Sequence, residues 1–168
     1  DLRILNKLNT DIVYLPYYKD IYSFKPKKKV FLDKFSKKLC GKYRVGHFEG
    51  VLNVVNRFLE IIKPSKIILG EKDYQQAKLI NAHIKKNKIK SKVLVSKTVR
   101  VHNGLPCSSR NFKIKKNKLK IGSKIYSYLK GKKKLLKKDL KNFQFIEYKT
   151  DLNSFGAKVE YINLYNIK

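Results

Sequence analysis

The chain has 168 residues, enough for one domain with a hydrophobic core, and carries a formal net charge of +29 at pH 7. No apolar run approaches the roughly 18 residues of a membrane span, and no signal-peptide pattern begins the chain. Cys40 and Cys107 fit neither a zinc pattern nor a disulfide framework. From these three observations we expect a cytoplasmic protein with no membrane partner and no metal ligands of its own.

The first third of the chain contains two short apolar runs, followed by a stretch in which the apolar residues recur with the period of a helix. The runs DIVYLP at 11–16 and KKVFLD near 29–33 predict two buried strands. The stretch HFEGVLNVVNRFLEII then predicts an amphipathic helix that ends before Pro64. Its apolar stripe comprises Val51, Val54, Val55, Phe58, Leu59 and Ile62.

A strand, a helix and another strand follow. SKIILG predicts a strand at 65–70, YQQAKLINAHIKKN a helix at 74–87, and SKVLVS a strand at 91–96. The inner side of this helix is predicted to carry Ala77, Leu79, Ile80, His83 and Ile84. Strands that alternate with helices over short connections predict a parallel sheet of the α/β class. Ligands of such sheets bind beyond the carboxyl ends of the strands.

The chain after residue 112 has a different pattern. A lysine-rich helical stretch carries a modest apolar stripe of Ile121, Ile125 and Leu129, and the alternating KVEYINLYN at 158–166 fits a strand. We therefore predict a main domain at 1–112 and a smaller α+β unit at 113–168.

Lysine clusters suggest a second interpretation. Runs such as KPKKK at 25–29 and KGKKKLLKK at 130–138 would neutralise phosphates in a basic RNA-binding module. The lysines are scattered over the whole length, however, and scattered charge indicates solvated faces rather than a groove. We expect no specific nucleic-acid partner and keep RNA binding as the alternative.

The turn after the strand that ends in Gly70 has the mixed charges of LGEKDYQQAKLI. If Asp73 caps the following helix, Gln76 lies three residues on and completes a variant of the capping box. That interpretation leaves Gly70 and Lys72 unexplained. A glycine at a strand end lets a ligand approach the backbone, and a lysine beside a helix start binds phosphate. We favour a phosphate site.

The segment GLPCSSRNF also carries groups that suit an anion. It places Ser108, Ser109 and Arg110 after a turn. Hydroxyl and guanidinium donors suit an oxyanion, but serines are also ordinary helix caps. The residues alone leave both interpretations open.

A third cluster, GKYRVGHFEGV, lies at the start of the amphipathic helix. It contains Arg44 and His47, which would favour an anion there. No Ser/His/Asp triad, carboxylate pair or metal-ligand spacing stands out.

Together the clusters resemble the pantothenate synthetases, also called pantoate-beta-alanine ligases. The similarity is carried, in order, by GKYRVGHFEGVLNVVNRFLEIIKP, ILGEKDYQQAKLI and KTVRVHNGLPCSSRN over about residues 40–112. The resemblance implies a Rossmann-like nucleotidylyltransferase fold with a small C-terminal lid. It also implies a homodimer that uses ATP and Mg²⁺ to form pantoyl adenylate from (R)-pantoate, from which beta-alanine displaces AMP to give pantothenate.

The resemblance assigns roles to residues of the first two motifs. Lys72 would hold the ATP phosphates and stabilise charge at the reacting phosphorus, while Gly70 and Asp73 would contact the ribose. The substrate-binding residues would be Gln76 for pantoate, with Arg44 and His47 near the substrate carboxylate.

The resemblance assigns the remaining ATP contacts to the third motif. The backbone of Val99 would face the adenine, and Ser108, Ser109 and Arg110 would clamp the phosphates as catalytic partners of Lys72. We add Cys107 and Glu71 to the nucleotide-binding set, and Glu71 has no specific role.

The sequence also departs from the family pattern. The HxGH loop and the upstream pantoate-binding glutamine and asparagine are absent, Val45 replaces the usual proline, and Asn103 replaces the usual aspartate. Pro106 and Cys107 replace a small and apolar pair. Because the chain starts at Asp1 and contains no methionine, we expect a fragment. We expect this fragment to be inactive alone because the HxGH half of the ATP site is missing from it. Another adenylyl-transferring enzyme of the same fold is the second alternative.

Overall fold

The computed structural model describes residues 2–23, 25–136 and 144–165. Its helices are α1 (Leu2–Lys7), α2 (Tyr18–Tyr22), α3 (Cys40–Tyr43), α4 (His47–Ile62), α5 (Tyr74–Lys86), α6 (Lys116–Leu136) and α7 (Phe145–Ser154). Its strands are β1 (Lys66–Gly70) and β2 (Lys92–Ser96). Short 3-10 helices span Lys34–Lys37, Glu71–Asp73 and Ser109–Lys113.

The parallel sheet predicted for the middle of the chain is confirmed. Strands β1 and β2 pair in parallel from Lys66 with Lys92 to Gly70 with Ser96, and α5 connects them. Both strands therefore end at the same edge of the sheet, where ligands of α/β proteins bind. We call residues 47–96, which form α4, β1, α5 and β2, the central unit.

The hydrophobic core lies between the helices and one face of this sheet. A buried cluster is formed by Leu52 and Leu59 of α4 with Ile80 and Ile84 of α5. All five residues predicted for the inner side of α5 are buried. The stripe predicted for α4 is partly wrong: Leu59 is buried as expected, but Ile62 is exposed, and Phe48 and Leu52 are buried instead.

Neither strand predicted before α4 is formed. Residues 11–16 have no regular structure, and Ile12 is 85% exposed. Residues 29–33 are also irregular, and backbone groups in and beside this segment bond to side chains of the helices. The Phe31 N–H donates to Nδ1 of His83 at 3.1 Å, and the Lys28 carbonyl accepts from Nδ2 of Asn56 at 2.8 Å.

His83, predicted as a core-edge residue, is fully buried at the centre of this contact. Since its Nδ1 accepts from Phe31, Nε2 carries the proton and donates to Oδ1 of Asn56 at 3.0 Å. Burial lowers the pKa of His83. A neutral histidine therefore ties α4, α5 and the segment before the central unit together.

Among the described C-terminal residues, helices α6 and α7 are followed by a segment without regular structure. The Tyr128 hydroxyl of α6 donates to Oδ2 of Asp151 of α7 at 2.5 Å. Burial, followed by this hydrogen bond, raises the pKa of Tyr128 to about 12. The strand predicted at 158–166 is not formed in 158–165, and residue 166 lies outside the described residues. Within the described ranges, no helix is long and apolar enough to cross a membrane.

Candidate active site

A cavity of about 230 Å³ lies where the start of α4 meets the turn between β1 and α5. Five of the residues predicted from the sequence line it together: Arg44, His47, Lys72, Asp73 and Gln76. They come from two motifs that are about 30 residues apart in the chain. Basic, acidic and amide side chains are thus concentrated at one place beside the carboxyl end of β1, which suits an anionic ligand with polar substituents.

The turn Glu71–Asp73 presents both signs of charge to this cavity. Nζ of Lys72 lies 4.0 Å from Oδ2 of Asp73, and both side chains are about half exposed. Asp73 occupies the N-cap position of α5 but makes no capping hydrogen bond, so the capping box that was the alternative to a phosphate site is not formed. The first amides of α5 therefore lack a side-chain cap, and the positive end of the helix dipole favours an anion.

Glu71, which had no role at the level of sequence, connects the ends of the two strands. Its Oε2 accepts a hydrogen bond from the Thr98 N–H at 3.3 Å. Thr98 lies shortly after the end of β2 and precedes Val99, which was predicted to face adenine. The Glu71 carboxylate thus fixes the segment after β2 beside the turn after β1.

The segment after β2 folds back as a hairpin that packs on α6. The Val99 carbonyl accepts from the Cys107 N–H at 2.9 Å. Gly104, at φ 86°, lies under Tyr126, and a Cβ there would collide with the tyrosine ring. Arg100 donates to the Gly104 carbonyl at 2.9 Å and stacks 4.4 Å from the Tyr126 ring centroid, which explains this arginine structurally.

The SSRN segment begins a 3-10 helix immediately after the hairpin. Oγ of Ser108 accepts from the Arg110 N–H at 3.3 Å and caps this helix. The capping interpretation therefore applies to Ser108. Ser109, Arg110 and Cys107 are exposed. The other predicted nucleotide-binding residues are not among those that line the 230 Å³ cavity: Gly70, Glu71, Val99, Cys107, Ser108, Ser109 and Arg110.

Tyr161 also lines the cavity, although no pattern in the sequence predicted it. Its ring stacks on Tyr43 with centroids 5.8 Å apart, and the Tyr43 hydroxyl donates to the Glu160 carbonyl at 2.5 Å. Burial raises the pKa of Tyr161. The alternating pattern of this segment indicated a strand and gave no sign that the segment would lie against α3.

A larger and mainly apolar cavity of about 400 Å³ lies beside the first and shares Leu39, Tyr74 and Tyr161 with it. In the described part of the chain, no group of three or more histidine, cysteine or acidic side chains could hold a metal ion. The side chains that line the 230 Å³ cavity include hydrogen-bond donors and fixed charges of both signs.

The parallel strands and the polar cavity at their carboxyl ends define a Rossmann-like α/β protein of the nucleotidylyltransferase type. Residues 1–168 match the family described as pantoate-beta-alanine ligase. The chain belongs to the pantoate-beta-alanine ligase family.

Individual relatives agree with this assignment. The chain is 38% identical over 172 residues to a pantothenate synthetase of Francisella tularensis subsp. novicida, covering 99% of this chain and 61% of that protein. A pantothenate synthetase of Francisella philomiragia is 40% identical over 173 residues, with the same coverage. The chain thus spans about three-fifths of the length of these relatives.

Solved structures show the same fold. A crystal structure of pantoate-beta-alanine ligase from Francisella tularensis, complexed with beta-gamma ATP and beta-alanine, matches with a TM-score of 0.80 and 36% identity. The matched region covers 99% of this chain and 61% of the Francisella tularensis chain. A pantothenate synthetase from Thermus thermophilus matches with a TM-score of 0.75 at 24% identity, over 92% and 57% of the two chains, and supports the fold alone.

Proposed function

We propose that the whole protein condenses (R)-pantoate with beta-alanine to give pantothenate, using ATP and releasing AMP and pyrophosphate. The observation that carries the proposal is the cavity that brings Arg44, His47, Lys72 and Gln76 together. Membership of the pantoate-beta-alanine ligase family supports it, as does the similarity to a ligase crystallised with beta-gamma ATP and beta-alanine.

In the first step, a carboxylate oxygen of pantoate attacks the α-phosphorus of ATP. A new oxygen–phosphorus bond forms, the bond to pyrophosphate breaks, and pyrophosphate leaves with the electron pair. Negative charge accumulates around the phosphorus, so preorganised cations and amides lower the barrier. Lys72 lines the cavity, and the N-terminus of α5, whose N-cap side chain makes no hydrogen bond, lies beside it.

In the second step, the amine of beta-alanine attacks the acyl carbon of pantoyl adenylate. The carbon–nitrogen bond forms, the amine loses a proton, and AMP leaves with the electrons of the carbon–oxygen bond. Gln76 would hold pantoate, while Arg44 and His47 would face a substrate carboxylate. This assignment is favoured because all three residues line one cavity.

The ATP would extend from Lys72 toward the hairpin after β2. Val99 would contact adenine, Asp73 and Gly70 the ribose, and Ser109 and Arg110 the phosphates. The Glu71–Thr98 hydrogen bond joins these two sides. We propose Mg²⁺ as the companion of ATP, to which it would bind through phosphate oxygens. We also propose that the whole protein is a homodimer and is located in the cytoplasm.

Pantoate-dependent exchange of pyrophosphate into ATP tests the reaction in the full-length protein. Exchange is expected with (R)-pantoate and not with other small hydroxy acids. Exchange supported by a different acid, with none for pantoate, would identify another adenylyl-transferring enzyme of this fold.

Replacement of Lys72 tests the mechanism. Lys72→Ala is expected to reduce the rate of adenylate formation by about 10²–10³-fold, the range for loss of one preorganised donor of this kind. Lys66→Ala removes a lysine at the opposite end of β1 and should leave the rate unchanged. A near-normal rate in Lys72→Ala would show that this lysine does not act on the phosphates.

A further inference from the structure

Gln75, next to the predicted substrate ligand Gln76, has a different environment. It lies in the first turn of α5 and is 7% exposed. Its Nε2 donates to the Phe35 carbonyl at 2.8 Å and to the Lys38 carbonyl at 2.7 Å. Its Oε1 is buried and accepts no hydrogen bond within the described residues. The amide is therefore held through its NH₂ group, which bonds to the segment before α3.

The segment to which Gln75 bonds has an unfavourable backbone conformation. Leu39 has φ 47° and ψ −127°, a conformation that a branched side chain rarely adopts. Two residues later, a Cβ on Gly41 would collide with the Ser36 carbonyl oxygen. Local preference does not favour this turn, so contacts from other elements must determine its position.

The same turn forms one wall of the candidate active site. Leu39 and Cys40 line the 230 Å³ cavity together with Arg44, Lys72 and Gln76. Gln75 lies in the helix that follows Lys72 and also lines the cavity, so its two hydrogen bonds connect α5 to the residues that lead into the Leu39–Cys40 turn. A shift of the turn would change the width of the cavity without altering any of the charged residues in it.

We propose that Gln75 is a positioning residue, which sets the place of the Leu39–Cys40 turn and thereby the shape of the substrate cavity. The identity of the substrate rests on the proposed function, but the positioning role does not. Both glutamines line the cavity, but Gln75 also donates to the backbone carbonyls of Phe35 and Lys38, and it acts through these bonds.

The variants Gln75→Leu and Gln76→Leu form a matched pair for the test in the full-length protein. Hydrogen exchange of the peptide 38–43, measured by mass spectrometry, should become at least tenfold faster in Gln75→Leu. Exchange in α4 and β1 should not change, because Gln75 bonds to neither. Gln76→Leu should leave the exchange of 38–43 as in the wild type. Unchanged exchange of 38–43 in Gln75→Leu would overturn the proposal.

Binding of (R)-pantoate gives the functional measurement. Gln75→Leu should raise its Kd about tenfold, and the added variant Leu39→Gly should restore part of the affinity because glycine accepts a positive φ without strain. Unaltered affinity in Gln75→Leu would contradict control of the cavity shape. If the wild type does not bind pantoate, the proposed function fails, while the exchange measurement still decides the role of Gln75.

Global unfolding is the remaining outcome of Gln75→Leu, and the double variant with Leu39→Gly resolves it. A folded double variant would support the proposal, since relief of the strained residue would replace the lost hydrogen bonds. A double variant that also fails to fold would show that Gln75 supports the whole core rather than the turn, and would overturn the proposal.

Discussion

The central unit and the segments that flank it differ in how their backbone hydrogen bonds are satisfied. In residues 47–96 the helices and the two paired strands satisfy most backbone groups within regular elements. In residues 28–31 the backbone instead bonds to side chains of α4 and α5, such as Asn56 and His83. Apolar sequence alone therefore does not produce a strand, because a strand also needs a partner for its backbone.

The largest contrast between the two regions should appear in stability. Ile80→Ala removes a fully buried side chain from the core cluster and should lower the free energy of unfolding by about 2–5 kcal/mol. Ile12→Ala makes the same kind of change at a site that is 85% exposed, and should stay within about 0.5 kcal/mol of the wild type. Urea unfolding followed by circular dichroism measures the free energy of unfolding of both variants. Similar decreases in the two would contradict the difference in stability between the central unit and the segment before it.

The contrast also explains which elements could be predicted. Helices α4 and α5 and strands β1 and β2 were predictable because each carries a periodic or continuous apolar pattern and lies next to its partner in sequence. The strands expected at 11–16 and 29–33 were wrong, since their apolar residues indicate burial but not pairing. Val30 does pack against the core, so part of the signal was correct.

The candidate site was predictable to a similar extent. Lys72 and Gln76 follow a strand, so local sequence located them near one edge of the sheet. Arg44 and His47 lie at the start of a helix, and only the family resemblance placed them near the same substrate. The contribution of Tyr161 depends on how a segment more than 80 residues away packs against α3, and no local pattern reports that.

Acid should weaken the link between the central unit and the segment before it. Burial lowers the pKa of His83 in the folded state below its ordinary value of 6.5, so the unfolded chain binds the proton more readily. Stability is then complete above pH 6.5 and decreases as the pH falls below it, because a proton on Nδ1 would displace the Phe31 N–H.

The free energy of unfolding of the wild type should therefore decrease between pH 7.5 and pH 5. His83→Gln cannot titrate and should lose less stability over the same interval. Histidine at the exposed position 47 provides the control, since His47→Gln should keep the wild-type dependence. Equal pH dependence in wild type and His83→Gln would contradict the role of His83.

Alkali should act on the C-terminal helices. The pKa of Tyr128 is raised to about 12 by burial and then by the hydrogen bond to Asp151, so its contribution is complete below pH 10 and lost as the pH rises toward 12. We expect at most about 1 kcal/mol, because Tyr128 is only partly buried. Phenolate absorbance should show a tyrosine that titrates near pH 12 and disappears in Tyr128→Phe. Tyr18→Phe, at an exposed site, should leave that late transition in place.

The smallest effects distinguish the two caps expected from sequence. Ser108→Ala removes an observed cap and should lower the free energy of unfolding by about 0.5 kcal/mol, the lower end for such bonds, because the Oγ–N distance is 3.3 Å. Asp73→Ala removes a side chain that caps nothing, so thermal unfolding should show a smaller change. Ser109→Ala, at the exposed neighbouring position, is the control. If Asp73→Ala costs more than Ser108→Ala, the carboxylate stabilises α5 after all. If it does not, the position of Asp73 beside Lys72 is better explained by a ligand than by the helix.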